Sequence, residues 1–262
     1  MIILERNKIY CGNCLEIMPQ IPDKSIDMIL CDLPYGTTAC KWDQVIPFEP
    51  LWAQYKRLIK DHGAIVLFGS QPFFSDLIHS NKTMFREELV WLKNRSGSGF
   101  HSNSNHIKIH ENIAVFSKQS RVFNPQKWGV EEEKFLTKRK TFDKYEEANN
   151  NIYGGMKKTR KPDIGERNPI SVIPFSVCCT PAKSKTYAHE IDLRLHPTQK
   201  PVALFEYLIK TYTNEGDLVL DNCIGSGTTA IAAINTKRNF IGIEKEQKYV
   251  DIANERISKV MI

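Results

Sequence analysis

The amino-acid sequence predicts a doubly wound α/β sheet, mostly parallel, interrupted by an inserted lobe. Three observations carry that expectation. Short apolar runs alternate with amphipathic stretches up to about residue 118, the alternation lapses over about 119–194, and it resumes from 195 to the end. The chain has 262 residues, 41% hydrophobic and 25% charged, which suits one large domain or a domain carrying an insertion.

The elements can be justified in chain order. "SIDMILC" (25–31) is a short buried strand. "PFEPLWAQYKRLIK" (47–60) places Leu51, Tyr55, Leu58 and Ile59 at helical spacing and ends before Gly63. "GAIVLFG" (63–69) is a second buried strand between glycines, and "QPFFSDLIHS" (71–80) a helix after it. "REELVWLK" and "ENIAVFSK" read as further strands, joined by "NRSGSGFHSNSNH" (94–106), a loop rich in Ser, Asn and Gly. After the lapse, "VALFEYLIKTYT" is an amphipathic helix with Pro201 at its first turn. "DLVLD", "SGTTAIAAINTK", "NFIGIE" and "KEQKYVDIANERISKV" then alternate strand, helix, strand and closing helix.

The interrupting segment is polar and basic, yet Phe123, Trp128, Phe135, Phe142, Tyr145, Tyr153 and Phe175 are too many aromatics for a linker. It reads as a small lobe. Lys118 to Lys161 holds twelve basic and six acidic residues, equal to the net charge of +6 of the whole chain. That concentration suggests a polyanionic partner.

Other classes recede. Without a run of about 18 apolar residues, no membrane span is expected. The start "MIILERNKIY" lacks the charged, apolar and small-residue regions of a signal peptide. Seven scattered cysteines fit a cytoplasmic protein with reduced thiols. "CGNC" (Cys11–Cys14) has the spacing of half a zinc site, but no second pair matches it, so no metal is expected.

Two motifs carry chemistry. "LVLDNCIGSGTTA" runs from a strand through Asp221 into a glycine turn and a helix start. Gly225 and Gly227 allow a ligand close to the backbone, and the helix amides with the Thr228 and Thr229 hydroxyls favour an anionic group. About twenty residues on, Glu244 ends the next strand, where an acid is placed for ribose hydroxyls. Together these point to a nucleoside-bearing cofactor, without separating a nicotinamide cofactor from S-adenosylmethionine. The second motif, "MILCDLPYG" (28–36), ends a buried strand on Asp32, Leu33, Pro34 and Tyr35.

Asp32-Leu33-Pro34-Tyr35 resembles the Asp-Pro-Pro-Tyr motif of DNA amino-methyltransferases, and "DNCIGSGTT" resembles their cofactor loop. "HENIAVFSK" and "HPTQKPVALFEYLI" resemble two further family segments. With the catalytic motif first, the insert next and the cofactor loop last, the order is that of the β-class. The resemblance spans about 8–118 and 195–260, leaving the insert uncovered. It implies a Rossmann-like methyltransferase sheet with S-adenosylmethionine as cofactor. The expected catalytic and cofactor-binding domain is 1–118 with 195–262, and 119–194 is the inserted target-recognition region.

The resemblance assigns the Asp32 carboxylate and the Leu33 carbonyl as acceptors for the target's amino hydrogens, and Tyr35 as a platform for the base. Pro34 keeps Leu33 extended although the stiffer proline is missing there. It places Asn13, with Cys14 beside it, near the cofactor's adenine, where the family commonly has Asp. Lys200 suits the cofactor's methionine carboxylate, with a solvated lysine at a helix start as the alternative. His110, Glu111 and His196 are read as structural, and Asn222-Cys223 stands where the family has Pro-Phe.

The implied activity is adenine-N6 methylation of double-stranded DNA by base flipping. The alternatives are cytosine-N4 methylation, whose motif more often begins with Ser, and a non-catalytic DNA-binding partner retaining the fold. Homodimerisation, a cognate restriction enzyme and the recognition sequence stay open.

Overall fold

The computed structural model describes residues 4–37, 43–95, 103–129, 166–178 and 199–260. His196, Cys40 and Cys179, residues 96–102 of the Ser/Gly/Asn loop, and most of the expected insert lie outside them. The chain divides into two compact units, 1–124 with 171–262, and 125–170.

The larger unit begins with β1 (Lys8–Cys11), α1 (Cys14–Ile17) and a single 3-10 turn, followed by β2 (Ile26–Cys31). Next come α2 (Phe48–Leu58), β3 (Ile59–Gly69), α3 (Phe73–Ser80), β4 (Phe85–Leu92) and β5 (His110–Phe116). In the smaller unit, β6 (Trp128–Gly129) and β7 (Glu166–Arg167) form an antiparallel pair. The chain then returns to the larger unit through β8 (Val172–Pro174), α4 (Val202–Tyr212) and β9 (Leu218–Asp221). It ends with α5 (Thr228–Asn235), β10 (Asn239–Glu244) and α6 (Gln247–Ser258).

Eight strands form one sheet in the order β1-β10-β9-β2-β3-β5-β4-β8. β5 runs antiparallel to both its neighbours, and every other adjacent pair is parallel. The expected doubly wound, mostly parallel sheet is therefore what the chain adopts. The central strands are apolar throughout because helices cover both faces: Ile29, Leu30, Ile65, Val66, Val219 and Leu220 are all fully buried.

Three local departures have physical causes. Ile59 and Lys60 leave the expected helix for β3, because Ile59 pairs with Ile26 and Lys60 meets the Asp27 carboxylate at 2.6 Å. Pro201 sits at the N-cap of α4 and precedes its first helical residue. β8 arises inside the segment expected to be insert and extends the sheet beside β4, where the Trp91 indole donates to the Phe175 carbonyl at 2.8 Å.

The topology also fixes where a ligand can sit. From β2 the chain proceeds to β3 on one side, and from β9 it proceeds to β10 on the other, although β2 and β9 are neighbours. The carboxyl ends of β2 and β9 thus flank the crevice that a doubly wound sheet leaves at its switch point.

Candidate functional site

The two motifs meet at that crevice. A cavity of about 1130 Å3 opens there. It is lined by Asn13, Cys14, Asp32, Leu33, Pro34 and Tyr35 from one half of the sequence, and by Lys200, Asp221, Gly225, Thr228, Thr229 and Glu244 from the other. Of the residues expected at the site, Gly227 alone is absent from the cavity wall.

The two glycines of the loop do different work. Gly225 has φ +53°, and a Cβ there would meet nothing within 4 Å, so its backbone faces open space. Gly227 caps α5 at φ +86°, and a Cβ there would lie 2.9 Å from that of Ala253, so it lets α6 pack against the loop. Arg256, buried on α6, clamps the loop by donating to the Ser226 carbonyl at 2.6 Å. Nothing in its sequence context pointed to that role.

The cofactor-loop acids brace the backbone. Asp221 accepts from the Cys223 amide at 3.0 Å and from the Thr229 hydroxyl, and burial pushes its pKa up to about 7. Glu244 accepts from the Gly225 amide and the Glu246 amide, each at 2.9 Å, and burial raises its pKa. The Thr228 hydroxyl donates to the Lys200 carbonyl at 3.3 Å. Both threonine hydroxyls therefore point their protons into the fold.

On the far side of the loop, β1 pairs with β10 so that Cys11 lies opposite Glu244, and the Gly12 amide donates to the Glu244 carbonyl at 2.8 Å. Asn13 follows as the N-cap of α1, its side chain accepting from the Leu15 amide at 3.0 Å. Cys11 is exposed, whereas Cys14 is buried and its thiol is pushed up by a hydrogen bond with Cys223 and by burial. Among the described residues, no group of three or more His, Cys, Asp and Glu is placed to hold a metal ion.

The turn after β2 is stiffened from outside. Asp43 accepts from the amides of Gly36 and Thr37 at 2.9 and 3.0 Å. Leu33 buries its side chain in the core, and the Tyr35 ring tilts against Phe73 with centroids 5.2 Å apart. The Tyr35 hydroxyl donates to Asp32 Oδ1 at 2.5 Å.

Lys200 supplies the other contact. Its ammonium lies 2.6 Å from Asp32 Oδ2 and 3.2 Å from Glu111 Oε2, while Lys93 holds Glu111 Oε1. Four charges therefore alternate along a chain from Asp32 through Lys200 and Glu111 to Lys93. Burial opposes the Lys200 charge, but Asp32 and Glu111 outweigh it and raise its pKa. For Asp32, burial is the largest influence and raises the pKa, with Lys200 pulling it back. The sequence suggested a cofactor carboxylate for Lys200 and a structural place for Glu111, and the fold joins both to Asp32. Their separation along the chain hid this.

A half-buried acid–Leu–Pro–Tyr turn facing a glycine loop across a switch point defines the class. The chain belongs to the N6/N4 DNA methylase family, whose model matches residues 26–255. It is 31% identical over 276 residues to the type II methyltransferase M.BglII of Bacillus subtilis, across 96% of this chain and 69% of that protein. It is 30% identical over 274 residues to the type II methyltransferase M1.MboII of Moraxella bovis, across 99% of this chain and 100% of that one. Among solved structures, the M1.HpyAVI–SAM complex aligns with a TM-score of 0.61 and 26% identity, covering 98% of this chain and 99% of that one.

Proposed function

We propose that this chain methylates the N6 amino group of adenine in double-stranded DNA, using S-adenosylmethionine. The observation that carries the reading is the placement of the Asp32 carboxylate on the wall of the cavity that the Gly225 loop also lines, across the β2/β9 crevice. The cavity exceeds the roughly 300–1,000 Å3 usual for one small ligand, consistent with a cofactor and an extruded base together.

The residues fit the cofactor. The open Gly225 backbone admits close approach, the Glu244 carboxylate suits ribose hydroxyls, and Asn13 lies near enough to line the same end. When bound, the cofactor supplies an electrophilic methyl group on a sulfonium, which keeps the electron pair of the broken bond. The protein's task is to hold a poor nucleophile in line. The amino lone pair of adenine is delocalised into the ring. The Asp32 carboxylate and the Leu33 carbonyl accept its hydrogens, localise that pair and stabilise the charge that develops on nitrogen. Tyr35 stacks on the base, its ring fixed by Phe73 and its hydroxyl by Asp32.

The basic segment within 119–194 would meet phosphates and read base edges, and the 94–106 loop would close over the DNA or the flipped base. The test is Asp32→Ala. Methylation of DNA, followed by mass spectrometry of the nucleosides, should vanish while S-adenosylmethionine still binds. Full activity in that variant would sink the reading, and N4-methylcytosine as the wild-type product would replace adenine with cytosine.

A further inference from the structure

We propose that Lys200 exchanges between two carboxylates, leaving Asp32 for Glu111 as the target amino group arrives. Glu111 is then a positioning residue, acting on Asp32 through Lys200. The inference rests on the assignment of Asp32 as the amino-group acceptor and adds the step that frees it.

In the structure both oxygens of Asp32 are engaged. Oδ1 takes the Tyr35 hydroxyl at 2.5 Å and Oδ2 takes the Lys200 ammonium at 2.6 Å. An amino group that becomes positive during methyl transfer would share Oδ2 with a full positive charge. That arrangement opposes the reaction, because like charges at such separations repel strongly in a buried site. Lys200 has to move, and its destination is already in place.

Glu111 Oε2 is buried and pairs with the Lys200 nitrogen at 3.2 Å, more loosely than the same ammonium pairs with Asp32 at 2.6 Å, and it accepts no well-aligned hydrogen bond. A buried carboxylate oxygen held only by a poorly aligned donor is costly, and closer approach of that donor relieves the cost. The other oxygen of Glu111 is held by Lys93, whose ammonium also sits 4.9 Å from the Trp91 ring centroid. The carboxylate is thus fixed with its loosely paired oxygen turned toward Lys200. The Lys200 nitrogen lies 5.4 Å from the centroid of Phe68, which stacks on Phe205, so packed aromatic rings border its path. A rotation about the last bonds of the side chain passes the ammonium from one carboxylate to the other. Lys200 stays protonated throughout, and no bond is made or broken.

The test combines Glu111→Gln, Lys200→Gln and the double variant. Single-turnover methylation is measured at saturating DNA and S-adenosylmethionine, with cofactor affinity by calorimetry and melting temperature as controls. Glu111→Gln should slow turnover by about tenfold to a hundredfold, with cofactor affinity changed less than about threefold. Lys200→Gln should also be slow near neutral pH, because without the cation Asp32 takes up a proton more readily and can no longer accept the amino hydrogens. The double variant should be no slower than Lys200→Gln, within about threefold, because Glu111 acts only through the lysine.

The acid limb of the rate–pH profile gives a second readout. It should move to higher pH in Lys200→Gln, which loses the cation drawing Asp32 down, and to lower pH in Glu111→Gln, which loses a like charge. If Glu111→Gln fails to fold, Lys93→Met frees the other oxygen of Glu111 and should slow turnover in the same direction. Losses that multiply in the double variant would overturn the exchange. So would a Lys200→Gln variant that binds cofactor about tenfold more weakly but turns over normally, since its ammonium would then serve the cofactor. A wild-type protein that methylates no base would defeat the functional reading and the exchange with it.

Discussion

Asp32 and Asp221 invite comparison, because they close neighbouring strands on either side of one crevice and both have a pKa raised mainly by burial. Their partners differ in kind. Asp221 takes neutral, local donors: an amide two residues on and a hydroxyl eight residues on. Among the described residues no cation pairs with it. Asp32 takes a tyrosine hydroxyl three residues on and an ammonium 168 residues away. Neutral local donors fix a loop whether or not a ligand is present. A distant cation, itself shared with a second carboxylate, makes a site whose charge can be redistributed when a substrate enters. Burial alone therefore does not distinguish these two acids, and the charge of their partners does.

The largest effect should come from Asp32→Asn, which keeps shape and removes charge. Loss of one preorganised electrostatic partner of this kind costs about 10²–10³ in turnover, so methylation should fall by that order with cofactor binding intact. Equal losses from Asp32→Asn and Asp221→Asn would erase the distinction between the two acids. Next comes Arg256→Met, which keeps the apolar stem but drops the bond to the Ser226 carbonyl. It should weaken S-adenosylmethionine binding by about tenfold, while leaving saturated turnover within about threefold, as expected of a loop brace.

Asp221→Asn sharpens the contrast through pH. Burial places the native pKa of Asp221 at about 7, above the roughly 3.9 of an unfolded aspartate. The native state holds a proton that the unfolded chain releases between those values. The stabilisation is full below about pH 4 and is lost as pH rises through about 7. An amide cannot ionise, so the variant should gain melting temperature relative to wild type between about pH 4 and pH 7. A difference flat with pH would place the native pKa of Asp221 near its ordinary value.

Much of this was legible before any coordinates. Apolar runs bounded by Gly, Pro or polar turns marked the buried strands, and the Gly225–Thr229 turn marked the loop that brings backbone to the cavity. β1 is four residues, two exposed and two half-buried, too short for periodicity to register. β8 is three residues whose pairing with β4 depends on contacts far along the chain. The Asp32–Tyr35 contact was readable because the two residues are three apart. The Lys93–Glu111–Lys200 chain was not, since ion pairing leaves no local pattern. Arg256 read as one more polar residue of a surface helix, although the fold buries it against the glycine loop.

The smallest expected effect concerns a pair that the same limit concealed. Asn222 stands where the family has proline, and the sequence offers no reason for a buried amide there. The structure does: the Tyr55 hydroxyl, fully buried beneath the crevice, donates to Asn222 Oδ1 at 2.5 Å across 167 residues. Tyr55→Phe leaves that amide oxygen buried without its donor, a loss of about 1–3 kcal/mol that should lower the melting temperature by several degrees. Replacing both partners with apolar groups, as Tyr55→Phe with Asn222→Leu, should recover part of the loss, since neither then leaves the other stranded. Cofactor affinity should stay within about threefold in Tyr55→Phe, because the pair supports the Asp221 side of the crevice from below. A large loss of turnover without loss of stability would instead tie this hydroxyl to the reacting acid.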